Sequence, residues 1–219
     1  MRLAFGLTIL IWLSVPLFLA ASLWLTVPRP AAAEPTPGFV EEFTVGTGGF
    51  FGGSMVSNPG TGGVDGDGYL RVSNQSTNNF GTRSGTTDYS GNYLAAGITQ
   101  VRVWMNDVGG NQAFEMHFAI GNGSLNFWQY NPIFSPPENG WAEFVVDLLD
   151  STQFTQTHGN RSFAAAIQSV SNILFRHDLA PYISTPDQIA GELGIDKIQL
   201  VGLIPVEPRT WGGIKSLYR

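Results

Sequence analysis

Two groups of side chains in this 219-residue chain have the types and spacing to do chemistry. The first is acidic: Glu41, Glu42, Asp65, Asp67 and Asp196. Calcium takes about six to eight oxygen ligands, chiefly carboxylates and backbone carbonyls. The run Val64-Asp-Gly-Asp-Gly68 offers two carboxylates in a tight loop whose glycines let the carbonyls turn inward. No acid stands about twelve positions after Asp65, so the loop is no EF-hand. A Ca2+ ion held here would brace the fold rather than react. The plainer reading is an Asp-Gly turn beside solvated edge acids.

The second group is aromatic and polar: Arg102, Trp104, Glu115, His117, Trp128 and Tyr130. Sugars offer flat C–H faces to aromatic rings, and their hydroxyls need charged or amide partners. Trp141, Glu143 and Arg176 would join such a face from neighbouring strands. The plainer reading is that sandwich tryptophans fill the core or seal an edge.

Catalysis has less to stand on. A glycosidase sets two carboxylates roughly 5–10 Å apart across a cleft, and Glu115 and Glu143 are the pair that a shared sheet face would bring together. No Gly-x-Ser-x-Gly elbow occurs, and His117, His158 and His177 lack His-Glu-x-x-His spacing. The chain has no cysteine, which excludes thiol catalysis, Fe–S clusters and Cys-type zinc sites. The expectation is a protein without a catalytic residue.

Elements that would position these groups follow from periodicity. Strands are expected over Val40–Thr44, Gly68–Ser73, Ile98–Asp107, Ala113–Gly121, Asn126–Pro132, Trp141–Leu149, Ile173–His177 and Gly194–Gly202. Several alternate with the period of two that marks a half-buried strand. Val101, Val103 and Met105 lie on one face, with Arg102, Trp104 and Asn106 opposite. One helix is expected from Phe163 to about Ser171, with alanines of high propensity and Ser162 as N-cap. About eight strands and one short helix predict an all-β, two-sheet antiparallel jelly-roll sandwich.

The order Trp141-Ala-Glu-Phe-Val-Val-Asp147, the helix after Ser162, Ile173-Leu-Phe-Arg-His177 and Ile195-Asp-Lys-Ile-Gln-Leu200 resembles the second half of laminin domain IV (laminin B) modules of secreted bacterial proteins. The closing strand is also similar to that of galactose-binding-like carbohydrate modules. Each motif is a strand pattern, and only their order is specific; the likeness spans about residues 68–202. It implies a jelly roll and an extracellular setting, and transfers no catalytic site. Galactose-binding-like modules often hold structural Ca2+ where an early strand meets the last, which implies Asp196 with Glu41 or Glu42 here. Two departures stand out. The chain lacks the cysteine-rich neighbours of laminin modules, and Val206-Glu-Pro208 is followed by a polar tail rather than a membrane span.

Composition sets the outer bounds. Arg2, the apolar run over residues 3–27 and Ala31-Ala-Ala33 predict an exported chain, with residues 1–33 as a cleaved signal peptide or a retained membrane anchor. Residues 34–38 read as a linker, 39–202 as the sandwich, and 203–219 as a tail. That tail is either a terminus packing Trp211 and Leu217 or a sorting element. Residues 34–202 carry six basic and sixteen acidic side chains, the wrong sign for nucleic acid. Membrane contact is expected only through residues 3–27, if uncleaved. The expected function is non-catalytic contact with glycans or matrix components at or beyond the cell surface. The alternatives are a surface-assembly protein without a small-ligand site and, third, a glycoside-active enzyme.

Overall fold

The computed structural model describes residues 34–109, 113–123 and 125–202; the expected signal or anchor (1–33) and tail (203–219) lie outside the described residues. Twelve strands form two six-stranded sheets in which every strand pair is antiparallel. They are β1 (Val40–Glu41), β2 (Phe50–Phe51), β3 (Met55–Ser57), β4 (Leu70–Asn79), β5 (Gly81–Ser84), β6 (Ile98–Asp107), β7 (Met116–Asn122), β8 (Asn126–Tyr130), β9 (Ala142–Asp147), β10 (Phe154–Gly159), β11 (Asn172–His177) and β12 (Gln188–Gly202). The first sheet runs β3-β4-β12-β6-β9, with β1 also on β12; the second runs β10-β8-β7-β11-β5-β2. The expected two-sheet sandwich is what forms.

Alternation builds the core between the sheets. In β6, Val101, Val103 and Met105 are fully buried while Arg102, Trp104 and Asn106 stay partly exposed. From the other sheet come Phe118, Ile120, Ile173 and Phe175, also fully buried. The last strand breaks its own period. Ile195 and Ile198 are three residues apart, which a flat strand would send to opposite faces, yet both are buried. A bulge between Asp196 and Gln199 resets the phase, with Lys197 in the left-handed region at φ 47°.

Four strands escape the periodic pattern: β2, β3 and β5 are two to four residues long, and β10 reads Phe-Thr-Gln-Thr-His-Gly. Among the described residues two α-helical turns occur, besides a 3-10 turn over Ser151–Gln153. The first, α1 (Tyr93–Ala96), is capped by Asn92 and ended by Gly97. The expected one, α2 (Phe163–Ile167), starts at the predicted Ser162 cap, whose Oγ accepts from Ala165 N at 3.2 Å. It stops short of Ser171 because Val170 leaves to bridge Gly91.

Candidate functional site

Residues directly opposite one another across paired strands share a face, so register defines which side chains stand on the side of the second sheet away from the core. One row crosses all six strands: Phe51, Arg83, Leu174, Ala119, Gln129 and Thr155. A second holds Gly81, Arg176 and His117, and a third Asn172, Gly121, Phe127 and His158. Ala119 and Gly121 put little bulk at mid-sheet. Around them lies a cleft of about 310 Å³ lined by Arg83, Gly123, Phe127, Thr157, His158, Asn172, Leu174, Arg176 and Ser184. Its volume is within the range of small-ligand sites.

Ser184, at the edge of the cleft, belongs to the segment 178–187 between β11 and β12. Arg176 ties it down: Nη1 donates to Ser184 O at 3.2 Å, and Nη2 to Ile183 O and the Asp178 carboxylate. Both charged side chains are about 1% exposed. Burial pushes the Asp178 carboxyl above its usual range, and the Arg176 guanidinium beside it pulls back. Gln129 lies near enough to favour ionised Asp178, yet neither of its amide atoms reaches hydrogen-bonding geometry. Further along, the Tyr182 ring sits 4.8 Å from that of His117, and its hydroxyl donates to Asn131 O at 3.4 Å.

The six expected ligand residues fall in three places and form no single surface. Arg102 and Trp104 are on the outer face of the first sheet, where Arg102 reaches Glu143 at 3.7 Å. His117 belongs to β7 of the second sheet, and Glu115 immediately precedes that strand. His117 is fully buried under Tyr182, with Nδ1 donating to Tyr130 O at 2.8 Å and Nε2 3.5 Å from Glu115 Oε1. Trp128 and Tyr130 point inward. The Trp128 ring packs edge-on against Phe163 at 5.8 Å, and that of Tyr130 contacts Phe154 at 5.1 Å. In β8 both parities carry an aromatic, so period alone cannot say whether Phe127 or Trp128 faces out. Phe127 does. Arg83 was hidden for a different reason, since Gly81–Ser84 is too short to announce itself as a strand. Of the pair an enzyme would need, Glu143 stands in β9 of the first sheet and Glu115 just ahead of β7 of the second. Trp141 is held in place structurally, with Nε1 donating to Gly62 O at 3.1 Å and its ring 5.4 Å from Tyr69.

The expected metal residues do gather. Val64 N and Lys197 N donate to the two oxygens of buried Asp196, each at 2.8 Å. Thr44 Oγ1 donates to Asp67 at 3.1 Å, and Phe43 N to Glu41 at 3.2 Å. Lys197 Nζ contacts Asp65 and lies 3.6 Å from Glu42. Burial raises the Asp196 pKa, against the two backbone donors, and Asp67 and Glu42 add repulsion. These carboxylates are already engaged, and the Lys197 ammonium stands among them. Among the described residues no group of three or more acids and histidines is disposed to hold a metal ion.

The sequence matches no family model and no curated protein. Solved structures do match. A family 11 carbohydrate-binding module from Clostridium thermocellum, in complex with a β-1,3-1,4-mixed-linked tetrasaccharide, is 18% identical with a TM-score of 0.52; the match covers 77% of this chain and 98% of that one. The family 11 module of a cellulosomal cellulase of the same organism is 16% identical at TM-score 0.52, over 81% of this chain and all of that one. The fold is the jelly roll of carbohydrate-binding modules. This agrees with the galactose-binding-like side of the sequence resemblance; the laminin side stays an expectation. An exo-β-agarase also aligns at TM-score 0.51 with 8% identity, over 78% of this chain and 25% of its own.

Proposed function

We propose that this chain is an exported, non-catalytic glycan-binding module that takes a saccharide into the cleft on the outer face of the second sheet. The observation that carries this is the lining of that cleft. Phe127 and Leu174, both part-exposed, give an apolar floor, and Arg83, Asn172, Thr157 and His158 stand around it as polar partners. Rings with convergent donors and acceptors are what a sugar requires. The mixed-linkage tetrasaccharide bound by the family 11 module suggests short β-linked chains as first probes. The placement of Glu143 on the first sheet and Glu115 beside the second supports this reading over the enzyme alternative, which would need the two carboxylates across one cleft. At the acidic corner we propose that Lys197, rather than calcium, supplies the bracing cation.

The test is isothermal titration of the full chain with oligosaccharides chosen from a glycan array, comparing wild type with Phe127→Ala. Loss of stacking on one ring is expected to weaken binding about tenfold. Undiminished affinity in the variant would move the site elsewhere. No binding to any glycan would leave the sandwich as a surface-assembly scaffold.

A further inference from the structure

Resting on that reading of the cleft, we infer that its ligand is an acidic glycan, bearing a carboxylate or a sulfate ester, and that Arg83 is the residue that reads the acid.

Residues 34–202 contain six basic side chains against sixteen acidic ones, so any cation has carboxylates to choose from. Four of the six are paired: Arg71 with Glu192, Arg102 with Glu143, Arg176 with Asp178, and Lys197 with Asp65 and Glu42. Among the described residues the other two, Arg161 and Arg83, form no ion pair, and Arg83 is the one that stands at the cleft. It is exposed, it lines the cleft, and no Asp or Glu shares that lining. An acid-poor cleft is unusual ground in so acidic a domain. Recognition of a neutral sugar draws on acceptors as well as donors, because every hydroxyl is both; carboxylate acceptors are missing from this lining.

Geometry prepares the guanidinium. Arg83 stands opposite Phe51 of β2, and its Cζ lies 5.0 Å from the centroid of that half-exposed ring. A cation–π contact of this kind engages the ring's face without consuming the guanidinium's N–H donors. A carboxylate or sulfate accepts two of them side by side. On its other side Arg83 stands opposite Leu174 on the cleft floor, so an acid bound there belongs to a sugar lying along the sheet.

The experiment titrates the full chain with oligogalacturonate, a sulfated galactan oligosaccharide and the neutral mixed-linkage tetrasaccharide, at low and high salt. At least one acidic probe is expected to bind about tenfold more tightly than the neutral one, with the margin shrinking as salt rises. Which acidic probe wins separates carboxylate from sulfate. Arg83→Gln should bring the acidic-to-neutral ratio close to one and Arg83→Lys should keep part of it. Arg71→Gln, on the other sheet, should leave it unchanged. Near-ultraviolet dichroism checks that each variant is folded. Tighter binding of the neutral glycan, or a ratio that survives Arg83→Gln, overturns the acidic assignment while the glycan reading stands. Failure of all three probes overturns the acidic assignment, and the glycan reading falls with it if the array also yields no bound glycan.

Discussion

At Arg176 and Asp178 two opposite charges sit out of water, joined to each other and to the carbonyls of residues 183 and 184. Removing one partner strands the other charge in a low-dielectric site. Arg176→Met is therefore expected to cost about 3–5 kcal/mol in urea unfolding. Adding Asp178→Leu should restore much of it, since an apolar pair demands no compensation; equal loss in both variants would mean the stability came from packing alone. His177, next in the chain, governs a pH effect. Burial holds its imidazole pKa below 6.5, although the Glu115 backbone and the carboxylates of Asp187, Glu115 and Asp178 pull upward. A depressed folded-state pKa gives stability that is present above the unfolded value and lost as pH falls through the folded one. The melting temperature should drop from about pH 7.5 to about pH 5.5, and His177→Gln should flatten that drop. A variant with the wild-type slope would assign the titration elsewhere.

Among the elements, β12 is the spine, and Gly194 is the place where a side chain crosses it. A Cβ there would come within 2.8 Å of Trp141 Cη2 and 3.3 Å of the Tyr69 ring. Gly194→Ala forces a rigid indole off the strand. Overpacking of this kind costs about 1–3 kcal/mol, and the Trp141 contribution to near-ultraviolet dichroism should change with it; an unaltered spectrum would show the indole free to move. The helix α2 offers a smaller test. Ser162 satisfies one of its first backbone donors, so Ser162→Ala should lower stability by about 1 kcal/mol. Both predictions concern local geometry visible in sequence only in part. Ser162 before an alanine run is a cap by type, whereas Gly194 owes its role to two rings from distant turns.

Over the molecule as a whole, an acidic cysteine-free domain must be held by its core and by the way its few cations are placed. Lys197 lies at the joint of β1, β12 and the Asp65 loop, and its contact with Asp65 raises its pKa. With that ammonium in place, melting temperatures in calcium and in chelator should agree within about 2 °C. Replacing Lys197 with Asn, which tolerates left-handed backbone, should lower the melting temperature and make it respond to calcium. A large calcium effect in the wild type would instead give the corner to the ion.

The sequence by itself determined the sandwich. Burial on one side of a strand writes itself as alternation, so β6, β7, β9 and β11 were legible, as were the Ser162 cap and the acid-rich corner. The acids were visible as a set of types, but their meeting was only implied by the resemblance, which paired Asp196 with Glu41 or Glu42. What the sequence could not determine was the face. Trp128 and Phe127 differ by one residue, and period two treats both parities alike until the core claims one of them. Nor could it place Arg83, whose strand is four residues long and reads as a turn. Only the tertiary structure, by pairing β5 with β11 and β2, laid Arg83 beside Leu174 and over Phe51. The cleft arises from register across six strands, and register is a relation between segments that no single segment contains.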